Sequence, residues 1–111
     1  MSELFDNQII SELREIMGDD IGMLLETFIE DSRAKVGELS DALAAENADS
    51  IRRVAHSLKG SCKNVGAIAM ALLCEEMEHK AKEEIFAPLP ELYAQIEVVF
   101  NNTCDEIHER Y

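Results

Sequence analysis

The chain has 111 residues, 47% of them hydrophobic, with five glycines and two prolines; one domain with one core fits these figures, and a disordered chain does not. A net charge of −13 would repel nucleic acid and anionic lipid, and no run of about 18 apolar residues offers a membrane span. Three unclustered cysteines suggest neither a disulfide framework nor a zinc site, and Met1–Asp6 lacks the basic start and apolar run of a secretory signal, so the expectation is a soluble protein of a reducing cytoplasm.

Nearly every segment repeats at the helical period. A short first helix is predicted over roughly 6–17, ending at Gly18. Asp19 or Asp20 is expected to cap a second helix that carries Ile21, Leu24, Leu25, Phe28, Ile29, Val36, Leu39 and Leu43. Asn47 or Asp49 is expected to cap a third, with Ile51, Val54, Ala55, Leu58, Cys62 and Val65 on one stripe and a stop near Asn64 and Gly66. A fourth runs from about Ala67 to Lys82. Pro88 and Pro90 introduce a fifth, whose apolar face extends from Leu89 to Ile107. Short connections force antiparallel neighbours. The expected fold is therefore all-α, an up-and-down four-helix bundle with a short additional N-terminal helix, one domain over residues 1–111. Met17, Met23, Met70 and Met77 are expected to fill core gaps, and Cys74 and Cys104 to act as small apolar residues.

The third helix breaks the charge pattern. Between Ser50 and Gly66 stand Arg52, Arg53, Lys59 and Lys63, with no acid among them. Helical phase places His56 at roughly 140° from the centre of the apolar stripe, Lys63 at about 120°, Arg52 at about 100° and Lys59 at about 80°. The imidazole thus faces water, with ammonium groups one and two turns along. Gly60 points directly away from the core, although a mid-helix glycine costs about 1 kcal/mol relative to alanine. There it clears an approach to the ring for another molecule. An exposed imidazole is a good nucleophile near neutral pH. A phosphoryl group on it adds charge that Lys59 and Lys63 can offset, with Arg52 on the flank. A general acid–base histidine would need an orienting carboxylate and a substrate pocket. The third helix supplies neither.

The run from Ala55 to Ala67, with His56-Ser57-Leu58-Lys59-Gly60-Ser61 followed by Val65-Gly66-Ala67, resembles the signature of histidine-containing phosphotransfer (HPt) domains in their single-domain form. The resemblance implies that His56 accepts a phosphoryl group from an aspartyl phosphate on a receiver domain and passes it to another receiver. It implies a phosphocarrier without an ATP site, binding no cofactor itself, with magnesium held by the receiver. Carried onto this chain, Lys59 helps hold the phosphoryl group and Gly60 gives the receiver room. Cys62 stands where many members have a small polar residue, and its phase puts it in the core. The implied partners are receiver domains of response regulators and hybrid sensor kinases, and the chain is expected to be a monomer.

Antiparallel geometry puts Leu39 of the second helix and Glu75 of the fourth near the level of His56, with Ser57, Glu78 and His79 as rim contacts. Two rival readings follow from the same residues. Glu76 with His79, and Asp105 with His108, have the spacing of a dimetal carboxylate site, but their phase turns them outward, so no metal is expected. The other rival is a docking module that binds an acidic partner through the basic third-helix face without phosphotransfer.

Overall fold

The computed structural model describes residues 3–111. Five helices follow one another: α1 (Asn7–Met17), α2 (Ile21–Ala44), α3 (Ala48–Val65), α4 (Ile68–Lys82) and α5 (Leu89–Arg110). The last four close an antiparallel ring in the order α2, α3, α4, α5. Side-chain cross-links tie three of the four seams: Lys35 to Ser61 between α2 and α3, His56 to Glu78 between α3 and α4, and Val36 and Glu26 of α2 to Tyr93 and His108 of α5. At 1.5 Å per residue α2 is about 36 Å long, which sets the 42 Å long axis of the molecule. The stripes read from the sequence converge on the centre, where Leu25, Leu39, Ile51, Leu58, Met70, Met77 and Ile96 are fully buried. Each such side chain contributes about 1.5–3 kcal/mol of burial energy.

The N-terminal segment closes one end. Asp6 accepts from the backbone N–H groups of Gln8 and Ile9 to start α1. Its own N–H donates to Gly66 O at 2.8 Å, and Ala69 N–H donates to Leu4 O. Gly66 ends α3 with φ +77°, and a β-carbon there would lie 3.1 Å from Ile9. With Gly66 N–H on Lys63 O and Ala67 N–H on Cys62 O, the turn is a Schellman motif. Asn47 is the N-cap of α3, accepting from Ser50 N–H.

Three expectations need correction. Asp19 and Asp20 do not cap α2: they lie in a 3₁₀ turn, Gly18–Asp20, and Ile21 N–H donates to Gly18 O, so backbone replaces the side-chain cap. Met23 is 72% exposed, because it falls two residues from Ile21 and off the buried Ile21–Leu25–Phe28 stripe. Leu39 is wholly buried and belongs to the core rather than to a docking surface. The closing residues of α2 and α4, which lie outside these expectations, are glutamates at positive φ, Glu46 (50°) and Glu84 (57°), where the usual residue is glycine.

Candidate functional site

Helix α3 presents its outer face between α2 and α4. Its inner stripe, Ile51, Ala55, Leu58 and Cys62, is fully buried, and this fixes the rotation of the helix. His56 therefore projects outward, 65% exposed. Gly60, one turn along, is also exposed, and a β-carbon added there meets nothing within 4 Å. The glycine is not required by packing; it leaves open space beside the ring.

The orienting carboxylate that α3 lacks comes from α4. Glu78 Oε2 lies 2.9 Å from His56 Nδ1, and Glu78 Oε1 lies 2.7 Å from Lys59 Nζ. The bridge lies beside small core side chains: Cys62 of α3 meets Cys74 of α4, and Ala55 of α3 and Ala71 of α4 are, like them, fully buried. Cys62 and Cys74 touch, and that contact together with burial pushes the Cys62 thiol well above its ordinary range, so it is inert. Small residues bring the two backbones together, and a glutamate side chain can then reach across.

Burial pushes the Glu78 carboxyl up, but its contacts with Lys59 and His56 outweigh this and hold it below the usual carboxylate value. The same contact with Glu78 holds the Lys59 ammonium above its ordinary value. Both groups are ionised near neutral pH. An ionised carboxylate has no hydrogen to donate, so the proton of the neutral imidazole sits on Nδ1, as the hydrogen bond requires. The lone pair then sits on Nε2, the nitrogen turned away from Glu78. Holding one ring nitrogen as a donor leaves the other with the free lone pair that nucleophilic chemistry requires.

The other residues singled out by sequence divide clearly. Lys59 belongs to the site, with its side chain only 18% exposed and held by Glu78 rather than free in solvent. Glu78, expected only at the rim, is the centre of the network. Glu75 is exposed and adds its charge to the field at Lys59. Lys63 is exposed and forms no ion pair among the described residues. Arg52 is committed elsewhere: Asp49, in the first turn of α3, takes Arg52 at 2.9 Å and Arg53 at 3.2 Å. The hydrogen bond from Arg52 holds Asp49 below its ordinary value. His79 turns to Glu83 on its own helix, 3.4 Å away, and is not drawn into the site. Ser57 is exposed on the opposite flank of α3, in a shallow cleft of about 230 Å³ with Lys35 and Glu38 of α2. Ser61 accepts from Lys35 Nζ at 3.3 Å, tying α2 to α3. His108 faces Glu26 of α2 on the outer surface, and Asp105 is exposed.

Sequence reasoning missed the role of Glu78, although a signal was present. Ala71, Cys74, Glu78 and Ala81 recur at helical spacing, and the other three are buried. A single carboxylate on a stripe of small core residues is a group aimed at the neighbouring helix.

Comparison with known proteins agrees with this geometry. The family model described as Hpt domain matches residues 23–109. The phosphorelay protein LuxU of Vibrio vulnificus is 30% identical over 82 residues, which cover 73% of this chain and 71% of LuxU. The sensor protein TorS of Escherichia coli is also 30% identical over 82 residues, but these make up only 9% of that much longer protein. Among solved structures, histidine-containing phosphotransfer protein B (HptB) from Pseudomonas aeruginosa superimposes with a TM-score of 0.95 at 32% identity, over 100% of this chain and 99% of HptB. With the family model spanning residues 23–109 and the whole bundle superimposing on HptB, the chain belongs to the Hpt domain family.

Proposed function

We propose that this chain is a phosphorelay intermediate of two-component signalling in which His56 receives a phosphoryl group from the aspartyl phosphate of one receiver domain and passes it to another. The observation that carries this reading is the 2.9 Å contact of His56 Nδ1 with Glu78, which leaves the Nε2 lone pair directed to solvent. In the accepting step Nε2 attacks phosphorus, the N–P bond forms, and the aspartate leaves with the P–O electron pair. Phosphoryl transfer of this kind asks the protein for position and charge rather than covalent help. Glu78 supplies position by holding the ring. Lys59, one turn along, supplies charge near the transferred group, with Lys63 a turn further out. The open space at Gly60 lets the receiver's loops approach the ring.

The chain acts as a phosphocarrier, and the receiver brings the aspartate together with its magnesium ion. We place Ser57 and Lys63 at the rim of the docking surface, Ser57 on the flank towards α2 and Lys63 two turns along α3 from His56. No described helix is long and apolar enough to cross a membrane, and we take the chain to work in the cytoplasm as a monomer. The charge-only docking reading loses ground, because Arg52, Arg53 and Lys59 are already paired with Asp49 and Glu78.

The test is incubation with a receiver domain charged by a small acyl phosphate. Acid-labile, base-stable phosphate should accumulate on the wild type and be absent from His56→Gln, with the helical spectrum of the variant unchanged. Receiver binding by both proteins, with phosphate on neither, would establish the docking module instead.

A further inference from the structure

The Glu78 carboxylate does more than orient the ring before the reaction; it bears on what happens afterwards. When Nε2 of the Nδ1–H imidazole attacks phosphorus, no proton is lost, so the ring becomes a phosphorylated imidazolium with its proton still on Nδ1. That proton can pass to water, leaving a neutral phosphorylated ring, or it can stay. Resting on the assignment of His56 as the phosphoryl carrier, we propose that Glu78 retains the Nδ1 proton on phosphorylated His56 and thereby keeps the phosphoryl group ready to leave.

The chemistry of the donating step makes this proton decisive. The receiver aspartate oxygen attacks phosphorus, the N–P bond breaks, and its electron pair returns to Nε2. From the protonated ring the leaving group is neutral imidazole. From the deprotonated ring it is the imidazolide anion, a far poorer leaving group. The ring proton therefore sets the rate of donation, and an adjacent carboxylate favours the cation.

The surroundings support Glu78 as the group in control. Its side chain is 20% exposed, against 65% for the imidazole, so its field on Nδ1 is less screened than that of a surface carboxylate. Lys59 of α3 opposes the ring charge, but its ammonium is seated on the other oxygen, Oε1. Glu75 of α4 adds negative charge at Lys59. Arg52, one turn back on α3, is held by Asp49. Lys35 and Glu38 of α2 line the cleft by Ser57 with opposite signs. Glu78 is thus the one carboxylate in contact with Nδ1 among the described residues.

Phosphoramidate, a small phosphoryl donor, can load the histidine without any receiver. Nitrogen-15 NMR of the imidazole, followed from about pH 5 to about pH 9, then reads Nδ1 protonation in the phosphorylated wild type, in Glu78→Gln and in a short phosphohistidine peptide. The wild-type midpoint should lie at least one unit above those of the peptide and the variant. Since each unit is tenfold in the protonated fraction above the midpoint, donation by Glu78→Gln to a receiver should fall about tenfold or more at alkaline pH and recover towards wild type in acid. Glu78→Asp, which keeps the charge on a shorter arm, should give an intermediate midpoint. A wild-type midpoint equal to that of the peptide overturns the proposal even if neither variant folds. A donation defect of the same size at every pH also overturns it, since that is the mark of lost positioning alone. The relay reading fails separately, by the absence of transfer between receivers and a wild type that phosphoramidate loads normally.

Discussion

Helix α4 meets α3 at the buried pair Cys62 and Cys74, with the small buried Ala55 and Ala71 on the same two helices, and borders α5 along Leu72, Leu73, Val98 and Val99, where a groove of about 610 Å³ stays open. On the first seam the backbones come close enough for one glutamate to hold both His56 and Lys59. On the second, Leu72 and Val98 remain more than half exposed, and the lining is almost entirely apolar. The same helix thus has one seam that fixes polar groups and one that leaves apolar side chains partly open to water. Side-chain volume makes the difference, since interiors pack too densely for a bridge to form over bulky neighbours.

The comparison can be broken most severely by filling the tight seam. Cys74→Leu should cost about 1–3 kcal/mol in a denaturant titration, because overpacking forces the helices apart. It should also separate Glu78 from His56, visible as a change in the imidazole nitrogen shifts. Lys59→Ala leaves the packing intact but removes the cation from the bridge. We expect slower transfer and a shorter-lived phosphate, with the thermal midpoint nearly unchanged, as phosphorylation kinetics and a melting curve will show.

Acid separates the seams by charge. Glu78 has a lowered value in the folded protein, so its contribution is complete above the ordinary carboxylate value of about 4.3 and is lost as pH falls through the lowered one. Lys59 has a raised value, so its contribution is complete below about 10.4 and is lost as pH rises through the raised one. An NMR titration should therefore show both site residues shifting at these extremes while Leu72 and Val98 do not respond. The smallest effect belongs to the open seam: Leu72→Gln should change stability by no more than about 0.5 kcal/mol and leave transfer unaltered, as equilibrium unfolding and the phosphotransfer assay will measure.

Much of the architecture was written in local patterns. The apolar stripes of α2, α3 and α5, Asn47 before α3, Gly66 after it and Pro90 in the first turn of α5 each act within a few residues, so periodicity and turn chemistry reveal them. The outward phase of His56 and Gly60 follows from the same 3.6-residue repeat, which is why their exposure could be read from one helix alone. Local patterns failed where backbone took over a side chain's task, as in the 3₁₀ turn before α2.

The sequence by itself thus determined the helices, their caps at α3 and the direction of the imidazole, because these depend on residues three or four positions apart. Only the tertiary structure decided which groups surround that ring. The partner of His56 is 22 residues away, on a different helix. Whether it reaches Nδ1 depends on how closely α3 and α4 approach and on the rotation of each about its axis. Leu39 shows the limit of counting: antiparallel geometry put it at the level of His56 as a docking residue, while its place on the apolar stripe of α2 already marked it for the core, where it is wholly buried. Height along a bundle follows from counting residues, whereas contact across it follows from packing.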